Sequence, residues 1–149
     1  MKPILDEGYF KLYIKGDVLT VALENTDDMP SINYHAMTRL FVAIQEELGK
    51  RGLTEAGWYV LYDFSAVTQY EMTAATAFAN FFRWGKRNGR RKAAHIFPAA
   101  RKEGEVSLVK RMVLGLVAQV AKVENDHYTA ADSKDAMRWF KEMRDDEKH

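Results

Sequence analysis

Apolar and polar residues follow one another along this chain with a period that changes from segment to segment. Tyr9-Phe10-Lys11-Leu12-Tyr13-Ile14 and Val18-Leu19-Thr20-Val21-Ala22-Leu23 mix aromatic and β-branched residues on either side of Lys15-Gly16-Asp17. Two such runs around a Gly-Asp connection predict a β-hairpin. Asp27-Asp28-Met29-Pro30-Ser31 breaks the pattern, with Ser31 as the expected N-cap of a helix. Met37, Leu40, Phe41, Ile44 and Leu48 then recur at helical spacing, while Arg39, Gln45, Glu46 and Glu47 occupy other faces. That spacing predicts a long amphipathic helix, stopped by Gly49 and Gly52.

Trp58 to Phe64 is almost continuously apolar, as in a strand buried on both faces. A second helix is predicted from about Met72 to Arg87, with Ala74, Ala75, Phe78, Phe81 and Phe82 inward. Ala93 to Phe97 reads as a short strand ended by Pro98, and Val106 to Val123 as a third helix. His127-Tyr128-Thr129 is a brief last strand. Ser133 to Met143 closes the chain as a helix with Ala136, Met137 and Phe140 inward. The predicted order is β-β-α-β-α-β-α-β-α. Strict alternation after the hairpin implies a mixed, mainly parallel sheet with flanking helices.

The length of 149 residues suits one domain spanning 1–149, and 47% hydrophobic with 29% charged residues excludes a disordered or low-complexity chain. Cysteine is absent, which removes thiolate chemistry and Cys-based metal sites and fits a reducing compartment. The start, MKPILDEGYF, has no long apolar segment, and nowhere is there a run of about 18 apolar residues, so neither a secretory signal nor a membrane span is expected. The expectation is a cytoplasmic protein.

The net charge of +1 conceals a division. Residues 1–71 hold six Lys/Arg against eleven Asp/Glu, residues 72–122 eleven against two, and residues 123–149 five against eight. The basic segment concentrates in Arg83, Lys86, Arg87, Arg90, Arg91 and Lys92, interleaved with Phe81, Phe82 and Trp84. Cations and aromatics together suit phosphates with base stacking, or anionic headgroups with apolar insertion. The plainer account makes the Phe residues core and the cations helix-end caps. The third helix adds Leu108, Leu114 and Ala118 beyond its sheet-facing stripe, so its apolar arc is wide enough for a partner or a pocket, although a well-buried helix needs nothing more.

Enzyme chemistry finds little support. His35, His95, His127 and His149 share no metal-ligand spacing, and no metalloprotease, nucleophile-elbow or P-loop motif is present, so no cofactor or metal is expected. Asp63 at a strand end could act as a base or simply anchor the next loop. The loop Ser65–Thr73 leaves the carboxyl end of the central strand, where parallel sheets bind ligands. Ser65, Thr68 and Thr73 could serve an anion there, or satisfy turn and helix amides.

Two stretches carry a resemblance. Leu61-Tyr62-Asp63-Phe64-Ser65-Ala66-Val67-Thr68 is similar to a strand end in STAS domains of the SpoIIAA type, and Tyr128-Thr129-Ala130-Ala131-Asp132-Ser133-Lys134-Asp135-Ala136-Met137-Arg138-Trp139-Phe140 resembles their final strand and helix. With the element order, the resemblance covers nearly the whole chain and implies a SpoIIAA-like fold. Signalling members carry Asp-Ser-Ser-Gly at the start of the second helix, the second Ser being phosphorylated by a partner kinase. By position that segment is Glu71-Met72-Thr73-Ala74 here. Thr73 keeps the hydroxyl, and the other three positions differ.

The leading expectation is a non-enzymatic module taking an apolar or lipid-like ligand through Ser65, Thr68, Phe81, Phe82, Trp84, Met112 and Leu116, with nucleic acid not the expected partner. Arg83, Lys86, Arg87, Arg90, Arg91 and Lys92 would touch a membrane surface, and Gly85, Gly89, Gly104 and Gly115 would hinge a lid over the ligand. The CRAL-TRIO lipid carriers share such a fold, an analogy at that level alone. The alternative is a regulatory module binding a protein partner, or a second copy, with Thr73 as phosphoacceptor.

Overall fold

A computed structural model describes residues 2–98 and 126–148. Six strands lie in the sheet in sequence order: β1 (Leu5–Asp6), β2 (Phe10–Lys15), β3 (Val18–Glu24), β4 (Trp58–Ala66), β5 (Arg90–Ile96) and β6 (His127–Thr129). The first three pair antiparallel and β3 to β6 pair parallel. The sheet is therefore mixed and mainly parallel, as the alternation of elements requires. The helices are α1 (Tyr34–Lys50), α2 (Leu53–Ala56), α3 (Met72–Arg87) and α4 (Ser133–Glu147). The third helix of the sequence pattern, with Met112, Leu116, Gly104 and Gly115, lies outside the described residues.

Period-2 alternation on the strands divides the core in two. Leu12, Leu19, Val21, Val60, Tyr62 and Phe64 face α1 and α3, which bring Leu40, Phe41, Ile44, Phe78 and Phe82. Tyr59, Leu61, Ala94 and Ile96 face α4, which brings Ala136, Trp139 and Phe140. β4 contributes to both clusters, the reason its sequence is apolar at nearly every position. Met137, expected inward, is 36% exposed, and Trp139 takes the inward place.

Two boundaries differ from the sequence pattern. Ser31 does not cap α1: Ile32 is held extended by a parallel bridge to Tyr70, and Asn33 caps instead, its side chain accepting the Ala36 N–H at 2.9 Å. β5 starts at Arg90 and not Ala93, so the three cations before Ala93 are strand residues. Gly85 and Gly89, expected as hinges, sit packed against neighbouring groups. A Cβ on Gly89, where φ is 92°, would stand 2.5 Å from the Thr54 carbonyl oxygen, and one on Gly85 would touch Arg90 and Trp58.

Candidate functional site

Parallel strands β3 and β4 each lead into a helix, so α1 and α3 begin side by side at the carboxyl edge of the sheet. The loops that make this edge are tied together. The Asn25 side chain accepts the amides of Thr68 (2.7 Å) and Gln69 (3.2 Å) and donates to the carbonyls of Pro30 and Gln69, both at 3.0 Å. Ile32 donates to Gln69 O at 3.2 Å and accepts from Glu71 N at 2.8 Å. Ser65 donates through its amide (3.0 Å) and hydroxyl (2.6 Å) to Asp63 Oδ1. The Thr68 hydroxyl reaches Asn25 Oδ1 at 3.2 Å. Ser65, Thr68 and Asp63 are thus occupied in fixing the loop.

Thr73 is left over. It is the second residue of α3, exposed, and its hydroxyl bonds to no described residue. It is not the N-cap; Glu71 holds that place with extended backbone and provides no side-chain cap. The opening turn of α3 therefore presents unsatisfied N–H groups and the positive end of the helix dipole. Asn33, Tyr34 and His35 of the α1 start join Glu71, Thr73 and Thr76 around one open depression. Sequence reasoning misses Asn25, Asn33 and His35. An Asn immediately before the first residue of an amphipathic run is a capping signal, whereas nothing local marks Asn25, 43 residues from its Thr68 partner.

The basic-aromatic segment separates into different roles. Phe81 and Phe82 are 3% and 1% exposed. Phe81 stacks on Phe41, ring centres 4.1 Å apart, and Phe82 carries the Arg90 guanidinium 3.8 Å above its ring. Arg90 is buried and donates to Phe82 O at 2.7 Å, so it does not belong to a membrane-facing surface. Arg91 pairs with Glu147 at 3.2 Å and Lys92 with Asp126 at 3.2 Å, while Lys86 stands 3.9 Å from Asp126. Of the six cations, Arg83 and Arg87 are exposed without a carboxylate partner among the described residues. Trp84, half-buried, stacks on Phe81 and lines a groove between α1 and α3.

Inside the α1/α3 face lies a second group of polar side chains. His95 on β5 is fully buried, stacked against Tyr62, Phe64 and Phe97, with the His127 ring of β6 4.2 Å away. Both His95 nitrogens, His127 Nε2, Tyr62 Oη and Arg90 Nε lack partners among the described residues. Burial, then the neighbouring His127 and Arg90 charges, holds His95 well below the usual imidazole value. Burial, then Arg90, brings His127 down to about 4. Burial drives the Tyr62 phenol upward. The two histidines do sit on neighbouring strands, and both are neutral at pH 7. Among the described residues no three His, Asp or Glu side chains converge as a metal site, and no helix is long and apolar enough to cross a membrane.

No protein-family model matches the chain, and no curated protein matches it by sequence. Solved structures do. The anti-sigma factor antagonist SpoIIAA in its unphosphorylated form superposes with a TM-score of 0.56 over 89% of this chain and 97% of that one, at 11% identity. A variant of RsbS from Moorella thermoacetica superposes with a TM-score of 0.53 over 89% and 95%, at 15% identity. The chain has the SpoIIAA-like fold that its element order and its two local stretches led one to expect.

Proposed function

We propose that this chain is a non-catalytic module that binds a protein partner, and that phosphorylation of Thr73 controls the binding. The observation carrying this reading is the exposed Thr73 hydroxyl, unbonded among the described residues, at the start of α3 on a loop edge latched by Asn25. The SpoIIAA-like fold supports it, because one of the similar structures is an anti-sigma factor antagonist described in its unphosphorylated form. A phosphate at this point brings about −1.5 to −2 charges to a helix N-terminus, where the dipole favours anions. The fold would tolerate it while the local surface changes sign. Glu71 beside it adds to the negative field, so the modified edge would repel an acidic partner. The apolar-ligand and membrane reading has no comparable support: Phe81, Phe82 and Arg90 are internal, and Arg91 and Lys92 are paired.

Tandem mass spectrometry of the protein purified from its own cells tests the modification. A partner co-purifying with the Thr73→Ala chain should be lost, by about tenfold or more in affinity, from Thr73→Glu. An unmodified Thr73, together with equal partner binding by both variants, would overturn the reading.

A further inference from the structure

The depression beside Thr73 does not end there. Tyr34, one of its lining residues, also lines the groove between α1 and α3. The stacked rings of Phe41 and Phe81 form the groove floor, and Val42 (48% exposed), Tyr34 (41% exposed) and Trp84 form its walls. From Thr73 to Trp84 along α3 is about 16 Å, three turns of helix. The groove forms an apolar trough, and the depression that meets it at Tyr34 is lined by the polar side chains of Asn33, His35, Glu71, Thr73 and Thr76. The two banks of the trough differ in charge. α3 contains no carboxylate at all, and Arg83 and Arg87 stand exposed along it without an acidic partner among the described residues. The α1 bank offers neutral Thr38 and Gln45, with Glu46 one turn past Val42.

We propose that this trough receives an amphipathic helix of the protein partner, with its apolar residues on Phe41, Val42, Phe81 and Trp84 and its Asp/Glu residues turned toward Arg83 and Arg87. Charge complementarity decides the occupant. A basic helix would face two guanidinium groups that have no carboxylate partner among the described residues, whereas an acidic one supplies the carboxylates that α3 lacks. The assignment deepens the proposed function and rests on it for the partner being a protein. Because Thr73 lines the depression that shares Tyr34 with the trough, a phosphate there would stand beside a surface fitted for an acidic helix, and would oppose it.

The test uses the full chain and a displayed library of peptides about four turns long, apolar at i, i+3, i+4 and i+7 and random elsewhere. Selected peptides should be enriched in Asp and Glu over the starting library. Fluorescence polarisation should show binding weakened about tenfold or more by Val42→Glu and by the Arg83→Glu/Arg87→Glu pair, and weakened by salt. These side chains are exposed, so circular dichroism melting should leave the variants folded. No binders, no acidic enrichment, or affinity indifferent to both variants overturns the assignment. So does a chain dimer, seen by sedimentation, that Val42→Glu splits, since a second copy would then be the occupant. Peptides sensitive to Val42→Glu but not to Thr73→Glu would leave the trough standing and remove control by Thr73. Peptides sensitive to Thr73→Glu alone would do the reverse.

Discussion

The two faces of the sheet treat the same side-chain chemistry in opposite ways. On the α4 side, Tyr128, Asp135, Arg138 and Glu142 form a surface network in which each group has a partner. Tyr128 donates to Asp135 at 2.9 Å, Arg138 reaches Asp135 and Glu142 at 2.6 Å each, and Ala131 N–H bonds Asp135 at 3.0 Å. That amide, then Arg138 and Tyr128, holds the Asp135 carboxyl below its usual range. On the α1/α3 side, Tyr62, His95, His127 and Arg90 sit inside a shell of Phe rings, with polar atoms that find no partner among the described residues. The first network is charged, wet and locally made, since its members lie within one strand, turn and helix. In the second the two histidines are held neutral, and the group is dry and made by packing. Stability on that side therefore comes from the rings, with the Arg90 bond to Phe82 O as the polar contribution.

The largest test of that difference removes a ring. Phe78 is fully buried and meets Phe41, Tyr62, Phe64, Phe82 and His95. Phe78→Ala should cost about 3–5 kcal/mol in urea unfolding. Met137→Ala, on the exposed flank of α4, should change stability by less than about 0.5 kcal/mol. Comparable losses at the two sites would erase the contrast.

Acid comes next. His95 and His127 are depressed in the folded chain, so below about pH 6.5 the unfolded chain takes up protons that the folded one refuses. Stability is whole above that pH and falls as pH drops. His127 alone accounts for about 3 kcal/mol between pH 6.5 and about 4, and His95 extends the loss lower. Asp135 acts only further down, where its carboxyl is protonated first in the unfolded chain. The urea midpoint should decline steadily from pH 7 to 4, and His127→Gln should flatten the slope. A midpoint unchanged between pH 7 and 5 would show that the histidines are not buried as neutral groups.

How much of this is legible in the sequence depends on how far apart the partners lie in the chain. α3 is readable to its end residues because Ala74, Ala75, Phe78, Phe81 and Phe82 repeat with the helical period. The Tyr128–Phe140 stretch is readable because its contacts are local: Asp132 caps α4, and Trp139 stacks on Tyr128 at 5.1 Å. Arg90, Arg91 and Lys92 read as one solvated patch. Their partners, Phe82 O on α3, Glu147 on α4 and Asp126 just before β6, are far apart in the chain, and no local pattern announces them. Ser31 looks like a cap because Pro30 precedes it. The bridge from Ile32 to Tyr70, 38 residues on, moves the N-cap to Asn33. β1 pairs through two residues, too short to show a period. Of the candidate site, Thr73 is reachable through the resemblance, while the Asn25 latch and the His35 side of the depression need the fold.

The smallest effect is also the one whose sign is least intuitive. Tyr62→Phe deletes a buried hydroxyl that has no partner among the described residues and keeps a ring stacked on Phe64 at 5.9 Å and edged against Phe78 at 5.2 Å. An unsatisfied buried hydroxyl costs its desolvation and returns no bond, so its removal should leave stability unchanged or raise it by up to about 1 kcal/mol. The same exchange at Tyr128 removes a donor to Asp135 and an acceptor for Arg138, so it should lower stability and let the Asp135 carboxyl rise toward its ordinary value. Paired urea titrations of the two Tyr→Phe variants, with NMR titration of Asp135, read both effects. A loss at Tyr62 as large as that at Tyr128 would mean that its hydroxyl is bonded in solution, and the contrast between the two faces would fail at the residue chosen to express it.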